Sequence, residues 1–341
     1  MQVPWIALCL AAALSLVLTP VARRLSVHYG IIDVPRDNRR MHKRPIPRAG
    51  GLGMVASFLI VLFLCLPMTP KLFALAAGSL IIAATGLLDD LRDLKPRTKL
   101  ICQIVAALVL ILGGVRITFF TDPFNAYGLV ALKVLMVPVT LFWIVGITNT
   151  VNLIDGLDGL AAGVSMICAL SLMAIAGRFG NAHVSLIAAI LAGVCLGFLP
   201  YNFNPASVFM GDVGALFLGF VLSYISIEGV MKSTALITVV FPVLILGVPI
   251  FDTTFAIIRR ILSGRNVMSA DKGHLHHRLL AKGLTQRETV SCLYLISAVF
   301  GLLANLVSRL PSQVGFGISL VIVLAVVVIA FYAGMFSHRE E

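Results

Sequence analysis

Residues 72–93 read LFALAAGSLIIAATGLLDDLRD. Positions 72–88 carry no charged side chain, and then Asp89 and Asp90 stand side by side with Asp93 one helical turn further on. A helix rises 1.5 Å per residue, so about 20 apolar residues cross the roughly 30 Å hydrocarbon core of a bilayer. The stretch therefore reads as a spanning helix that delivers carboxylates to the membrane boundary. Adjacent carboxylates repel and raise one another's pKa unless a cation or proton donor is near. An acidic cluster at a helix C-terminus also opposes the macrodipole. A merely solvated helix end explains Asp89 and Asp90 poorly, and a base or a metal-associated pair explains them better.

Similar apolar runs fill the chain on both sides of this one. Eleven of them lie roughly at 4–22, 50–68, 72–88, 99–116, 129–147, 160–177, 183–200, 213–227, 234–258, 289–308 and 314–336. Hydrophobic residues make up 59% of the chain and charged residues 12%, against about 25% charged in soluble domains. The mean hydropathy is +1.02. Long runs rather than ten-residue alternating segments favour helices over a barrel. The predicted fold is an all-α polytopic membrane protein of about eleven spans, built as one domain over residues 1–341. Pro242, Gly247 and Pro249 predict a kink or a break in the ninth span. The first run lacks a basic leader and an obvious cleavage site, so it reads as a retained helix. The six cysteines stand singly in apolar runs and read as small hydrophobes.

Charge gives the orientation. Of 26 Lys and Arg residues, 20 fall in loops on one side of the eleven-span arrangement, which marks that side as cytoplasmic and the N-terminus as outside. The C-terminus is then cytoplasmic. Topology and anionic lipid account for the net charge of +11 without a nucleic-acid partner. Most of the acidic residues fall on the same side, which the positive-inside rule does not explain.

Three further constellations sit on that side. The fifth run leads into Asn149-Thr150-Val151-Asn152-Leu153-Ile154-Asp155-Gly156-Leu157-Asp158-Gly159. If helical, Asn149, Asn152, Asp155 and Asp158 share one broad face and offer hard oxygen donors of the kind that suits magnesium or a sugar. Between spans seven and eight comes Phe209-Met210-Gly211-Asp212-Val213-Gly214. Asp212 is placed to cap the eighth helix or to hold a metal–phosphate complex at its N-terminus. The loop after span nine carries His274-Leu275-His276-His277-Arg278. Zinc is a poor fit to that spacing, and phosphate or nucleotide binding a better one.

Taken in order with the segment His42 to Gly51, these motifs resemble the polyprenyl-phosphate N-acetylhexosamine-1-phosphate transferase family (glycosyltransferase family 4). The likeness covers nearly the whole chain, and His-Leu-His-His-Arg looks like the GlcNAc-1-phosphate branch rather than the phospho-MurNAc-pentapeptide transferases. The family includes bacterial enzymes that begin teichoic acid and O-antigen assembly, the first membrane step of envelope glycopolymer synthesis. The resemblance implies transfer of N-acetylglucosamine-1-phosphate from a UDP-sugar to undecaprenyl or another polyprenyl phosphate, with release of UMP. It implies Mg2+ as cofactor, with Mn2+ an acceptable substitute, held by Asn152 and Asp212. It implies that Asp89 and Asp90 handle the lipid phosphate as the catalytic pair, and that Lys99 contacts phosphate. Asn149, Asp155, Asp158, His274, His276, His277 and Arg278 match positions that line the nucleotide-sugar site. A cell-membrane location with the site on the cytoplasmic face follows, and a homodimer is compatible with it.

Two other classes compete. A secondary transporter would place its site near the midplane and often shows inverted repeats. Asp252, within the ninth span, is the feature that suits it. A non-catalytic membrane scaffold would not need Asp89, Asp90, Asn152 and Asp212 together.

Overall fold

The computed structural model describes residues 3–34, 45–121, 129–231, 240–264 and 273–336. His42, Lys43, Asp271 and the rest of the intervening segments lie outside them. Every expected apolar run carries helix. The order is α1 (Val3–His28), α2 (Gly50–Cys65), α3 (Pro70–Arg92), α4 (Pro96–Leu112), α5 (Met136–Leu153), α6 (Leu160–Arg178) and α7 (Ala182–Asn202). There follow α8 (Gly211–Ser226), α9 (Val240–Ile245), α10 (Gly247–Leu262), α11 (Leu275–Ala281), α12 (Gln286–Val307) and α13 (Ser312–Tyr332). Eight helical segments among the described residues are long and apolar enough to cross a membrane. The chain is a multi-pass membrane protein of helical class. The expected runs at 50–68, 99–116 and 234–258 carry shorter helices: α2, α4, and the pair α9 and α10.

The ninth run breaks as its composition demands. The backbone leaves helical geometry at Leu246, and α10 restarts with Pro249 in its first turn, where a missing N–H costs nothing. The fifth span needs correcting. Helix α5 begins at Met136 rather than at 129, because residues 129–131 pair as a strand with 119–121. A short apolar run at a helix entrance cannot be told from a strand by hydropathy alone. The eighth run, the shortest, continues past α8 into a π-helical turn, Ile227–Met231.

Helix α8 is the axis of the molecule. Its side chains are buried almost throughout, and it packs against α2, α3, α5, α6 and α7. Helix α1 lies along α7 in a contact built from small residues. Ala11, Ser15 and Thr19 are fully or nearly fully buried, and the Ser15 hydroxyl donates to the Val194 carbonyl at 2.9 Å. Lipid tails provide no hydrophobic drive between helices, so close backbone approach of this kind carries the packing. At Gly197 a Cβ would collide with the Ala12 carbonyl of α1. We expect Gly197→Leu to force these helices apart at a cost of about 1–3 kcal/mol. It should lower the melting temperature in detergent, whereas Leu196→Ala, at a side chain that faces outward, should leave it nearly unchanged.

Candidate functional site

The site is assembled at one end of the bundle, where α3, α5, α7 and α10 finish and α2, α4, α8 and α12 begin. A tight turn joins α3 to α4. Asp93 closes α3 in the left-handed region at φ 47, a conformation that Asp tolerates better than most residues. The Leu94 N–H donates to Asp89 Oδ1 at 2.8 Å, so Asp89 shapes this turn with one oxygen. With the other it accepts from Lys99, whose ammonium lies 2.7 Å from Asp89 Oδ2 and 2.8 Å from Asp212 Oδ2. One lysine on the first turn of α4 thus joins the end of α3 to the start of α8.

Asp90 performs a task that the sequence had suggested for Asp212. Its side chain is wholly buried, and Oδ1 accepts from the Asp212 N–H at 3.2 Å and pairs with Arg48 Nη2 at 3.1 Å. It caps α8 from outside, where a negative charge also complements the helix dipole. Gly211 permits this approach. It has φ 64, and a Cβ there would strike the Asp90 carboxylate. Asp212 itself lies in the first turn of α8, after a Met210 that makes no side-chain cap. Its carboxylate is therefore left for Lys99 and for the cavity.

That cavity holds about 990 Å³ and is lined by Asn152, Asp155, Asp158, Asp212 and His277 together with Arg23, Asp33 and Arg48. Asn152 sits on the last turn of α5. The helix ends at Leu153, so the expected single helical face does not extend to Asp155 and Asp158. The glycines at 156 and 159 turn the chain, with Gly159 at φ 80, and both aspartates enter the cavity from the turn. Asp158 Oδ2 accepts from Asn204 Nδ2 at 2.9 Å and from the Ala206 N–H at 3.0 Å. Asn202 ties the two loops a second time, accepting from the Gly159 N–H and donating to the Val208 carbonyl. Asn149 points elsewhere. It exchanges hydrogen bonds with the buried Gln103 of α4 and donates to the Val145 carbonyl, outside the cavity lining.

The histidine loop splits in the same way. His277 reaches the cavity, while His276 is buried and lies against Gly156. Burial, with His277 adding to it, pushes His276 down to about 4, so its ring is neutral and acts by packing. His274 Nδ1 lies 2.9 Å from Asp252 Oδ2. Arg278 is spent on backbone, donating to the carbonyls of Gly273 at 2.9 Å and Gly334 at 2.7 Å.

Among the described residues, Asp33, Asp155, Asp158 and Asp212 line the cavity together with Arg23 and Arg48. Burial, and after it the neighbouring Asp212, push Asp155 up to about 7. Burial works against the Arg48 charge, but Asp90, Asp212, Asp33 and Asp155 outweigh it and raise the guanidinium above its ordinary value. Asp90 Oδ2 is buried with no hydrogen-bond partner among the described residues. Carboxylate and amide oxygens are hard donors of the kind that suits a divalent ion of the magnesium type, and Asn152 and Asp212 line one cavity. The sequence reading assigned no role to Arg48, Asn202 or Asn204. The available signal for Arg48 was its place two residues before Gly50 in the basic segment His42 to Gly51.

Residues 72–230, from α3 to the end of α8 and its π-turn, match the family described as Glycosyl transferase family 4. A relative from Bacillus subtilis (strain 168), named "Probable undecaprenyl-phosphate N-acetylglucosaminyl 1-phosphate transferase", is 39% identical over 95% of this chain and 90% of its own. A decaprenyl-phosphate N-acetylglucosaminephosphotransferase from Mycolicibacterium smegmatis is 35% identical over 93% of this chain and 86% of its own. A phospho-N-acetylmuramoyl-pentapeptide-transferase from Rippkaea orientalis is 31% identical over 87% of this chain and 84% of its own.

Removing the Lys99 charge leaves two largely buried carboxylates facing each other. Lys99→Met should cost roughly 2–3 kcal/mol, towards the low side of what breaking a buried pair costs. Thermal unfolding in detergent should show a loss of several degrees, and Lys99→Met combined with Asp89→Asn should recover part of it.

Proposed function

The chain belongs to glycosyl transferase family 4, the polyprenyl-phosphate N-acetylhexosamine-1-phosphate transferases, and on that premise we propose that it transfers N-acetylglucosamine-1-phosphate from UDP-GlcNAc to undecaprenyl or a similar polyprenyl phosphate, releasing UMP. One observation carries the reading beyond the family. Lys99 stands between Asp89 and Asp212, at the junction of a polar cavity and the membrane-facing ends of α3 and α4. The sugar is argued from similarity, which is greater to the relative from Bacillus subtilis, at 39%, than to the pentapeptide transferase, at 31%.

The reaction joins a phosphate oxygen of the lipid to the β-phosphorus of the nucleotide sugar and breaks that phosphorus's bond to the oxygen it shares with the α-phosphate. It needs alignment and charge neutralisation more than covalent help. The donor lies in the cavity, with Asp155 and His277 on its walls and Arg48 available to its diphosphate. The acceptor head comes from the lipid side. Leu88, Leu91, Leu100 and Ile101, the apolar neighbours of Asp89 and Lys99, are exposed there and give the polyprenyl chain a compatible surface. Lys99 then offers its ammonium to the acceptor phosphate, and Asp89 orients that ammonium. Asp90 acts one step back, holding Arg48 and the start of α8. Asn152 and Asp212 would hold Mg2+, which when bound offsets the charge of the diphosphate. Arg278 and His276 serve by shaping the loop, and Asn149 by clamping α4 to α5.

With purified protein, UDP-GlcNAc and undecaprenyl phosphate, UMP release should require magnesium and stop in excess chelator. Full turnover in chelator would remove the metal from the scheme. Asp212→Asn and Asn152→Ala should each lower turnover by about 100-fold or more with the fold intact, the scale for losing a group that stabilises transition-state charge. Near wild-type activity in either would mean that the ligand is misassigned.

The site end of the bundle is also proposed to face the cytoplasm, where UDP-sugars are made. In a cysteine-free background, a membrane-impermeant thiol reagent on intact cells should label His183→Cys, at the exposed start of α7, and should not label Ser263→Cys, at the exposed end of α10. The reverse pattern would turn the site outward.

A further inference from the structure

Asp252 is a buried carboxylate that the transfer chemistry leaves unused. It lies on α10, 4% exposed, below the break that separates this helix from α9. Its two oxygens are both engaged by one short segment. Oδ2 lies 2.9 Å from His274 Nδ1, and Oδ1 accepts from the Leu275 N–H at 2.7 Å. The carboxylate therefore caps α11 from a neighbouring helix and fixes the His274 ring with its Nδ1 towards the acid, as a carboxylate partner does for histidines at many active sites.

What α11 carries makes this grip consequential. The neutral His276 ring is 97% removed from solvent and packs on the backbone of Gly156, so closely that a Cβ there would come within 2.6 Å of Nε2. Gly156 directly follows the cavity-lining Asp155 and lies two residues before Asp158. The next residue, His277, lines the cavity itself. Position therefore passes from Asp252 through His274 and Leu275 to α11, and from α11 onto the Asp155–Asp158 turn. The other end of the segment is held independently. Arg278, on α11, donates to the Gly334 carbonyl of the C-terminal segment at 2.7 Å and to the Gly273 carbonyl within its own segment at 2.9 Å. Loss of Asp252 would thus release the cavity side of α11 while the far side stays tied to the chain's C-terminal segment.

We propose that Asp252 is a positioning residue for the nucleotide-sugar site: through His274 and the start of α11 it holds His276 and His277 against the Asp155–Asp158 turn, and so sets donor affinity without touching either substrate. The proposal rests on the donor occupying the cavity as argued above. It makes the intramembrane acid part of the transferase site, with no need of a translocation pathway to explain it.

The test separates the two substrates. KM for UDP-GlcNAc and for undecaprenyl phosphate, kcat, the Kd for UDP and the melting temperature are measured for wild type, Asp252→Ala, Asp252→Asn, His274→Ala and the Asp252→Ala/His274→Ala pair. Asp252→Ala should raise the donor KM and the UDP Kd about tenfold or more, with the acceptor KM within about twofold of wild type. Asp252→Asn keeps an oxygen for the Leu275 N–H and should fall between. The double variant should be no worse than the worse single one, because both break the same link. An unchanged donor KM, or additive effects in the double variant, would overturn the proposal. So would equal losses for both substrates tracking a fall in melting temperature, the pattern of a merely structural residue. A wild type that binds UDP but does not turn over UDP-GlcNAc would sink the proposed activity alone, and the UDP affinities would still decide the role of Asp252. A wild type that does not bind UDP overturns both.

Discussion

The ammonium of Lys99, shared between Asp89 and Asp212, is the contact on which the rest of the site depends. It joins three helices at one point: the end of α3, the first turn of α4 and the first turn of α8. Two carboxylates in a poorly solvated place repel strongly unless a cation lies between them. Lys99 supplies that cation, and the turn at Asp93 and Leu94 delivers it, because α4 must reverse direction for its fourth residue to come back beside Asp89. A lysine with an aspartate on either side is also a movable charge. Its compact, rotatable ammonium can turn from one acceptor to another more easily than a planar guanidinium can.

Around this bridge the polar residues divide their labour. Asp90, Asn149, Asp158, Arg278 and Asn202 each make hydrogen bonds to other parts of the protein. They set where α8 begins and how the loops after α5 and α7 lie against each other. Asn152, Asp155, Asp212 and His277 are left turned into the cavity. An assembly of this kind keeps irregular backbone only where protein or a polar cavity surrounds it, as the absence of water in lipid requires. In this cavity burial, and after it the neighbouring Asp212, raises the pKa of Asp155.

Hydropathy was enough to read the helical class, the runs and the break near Leu246, because a lipid solvent imposes a length and an apolar composition on every segment that crosses it. It failed at residues 129–131, where three apolar residues paired as a strand before α5 began. Hard-donor composition was enough to single out Asp89, Asn152 and Asp212, since carboxylates and amides at the ends of apolar helices have few bland explanations. The spacing rule built on a continuous helix did not survive Gly156 and Gly159, which turn the chain after Leu153 and bring Asp155 and Asp158 in from a loop.

What the amino-acid sequence determined by itself was therefore local: which segments lie in lipid, where they stop, and which chemical groups wait at their ends. Pairing was decided by the tertiary structure alone. That Lys99 falls between Asp89 and Asp212, that Asp90 rather than Asp212 caps α8, and that Asp252 grips His274 across 22 residues are facts of helix packing. No periodicity records them. A hydrogen bond forms within about 3 Å, and only the packing of the helices brings residues far apart in the chain to that distance.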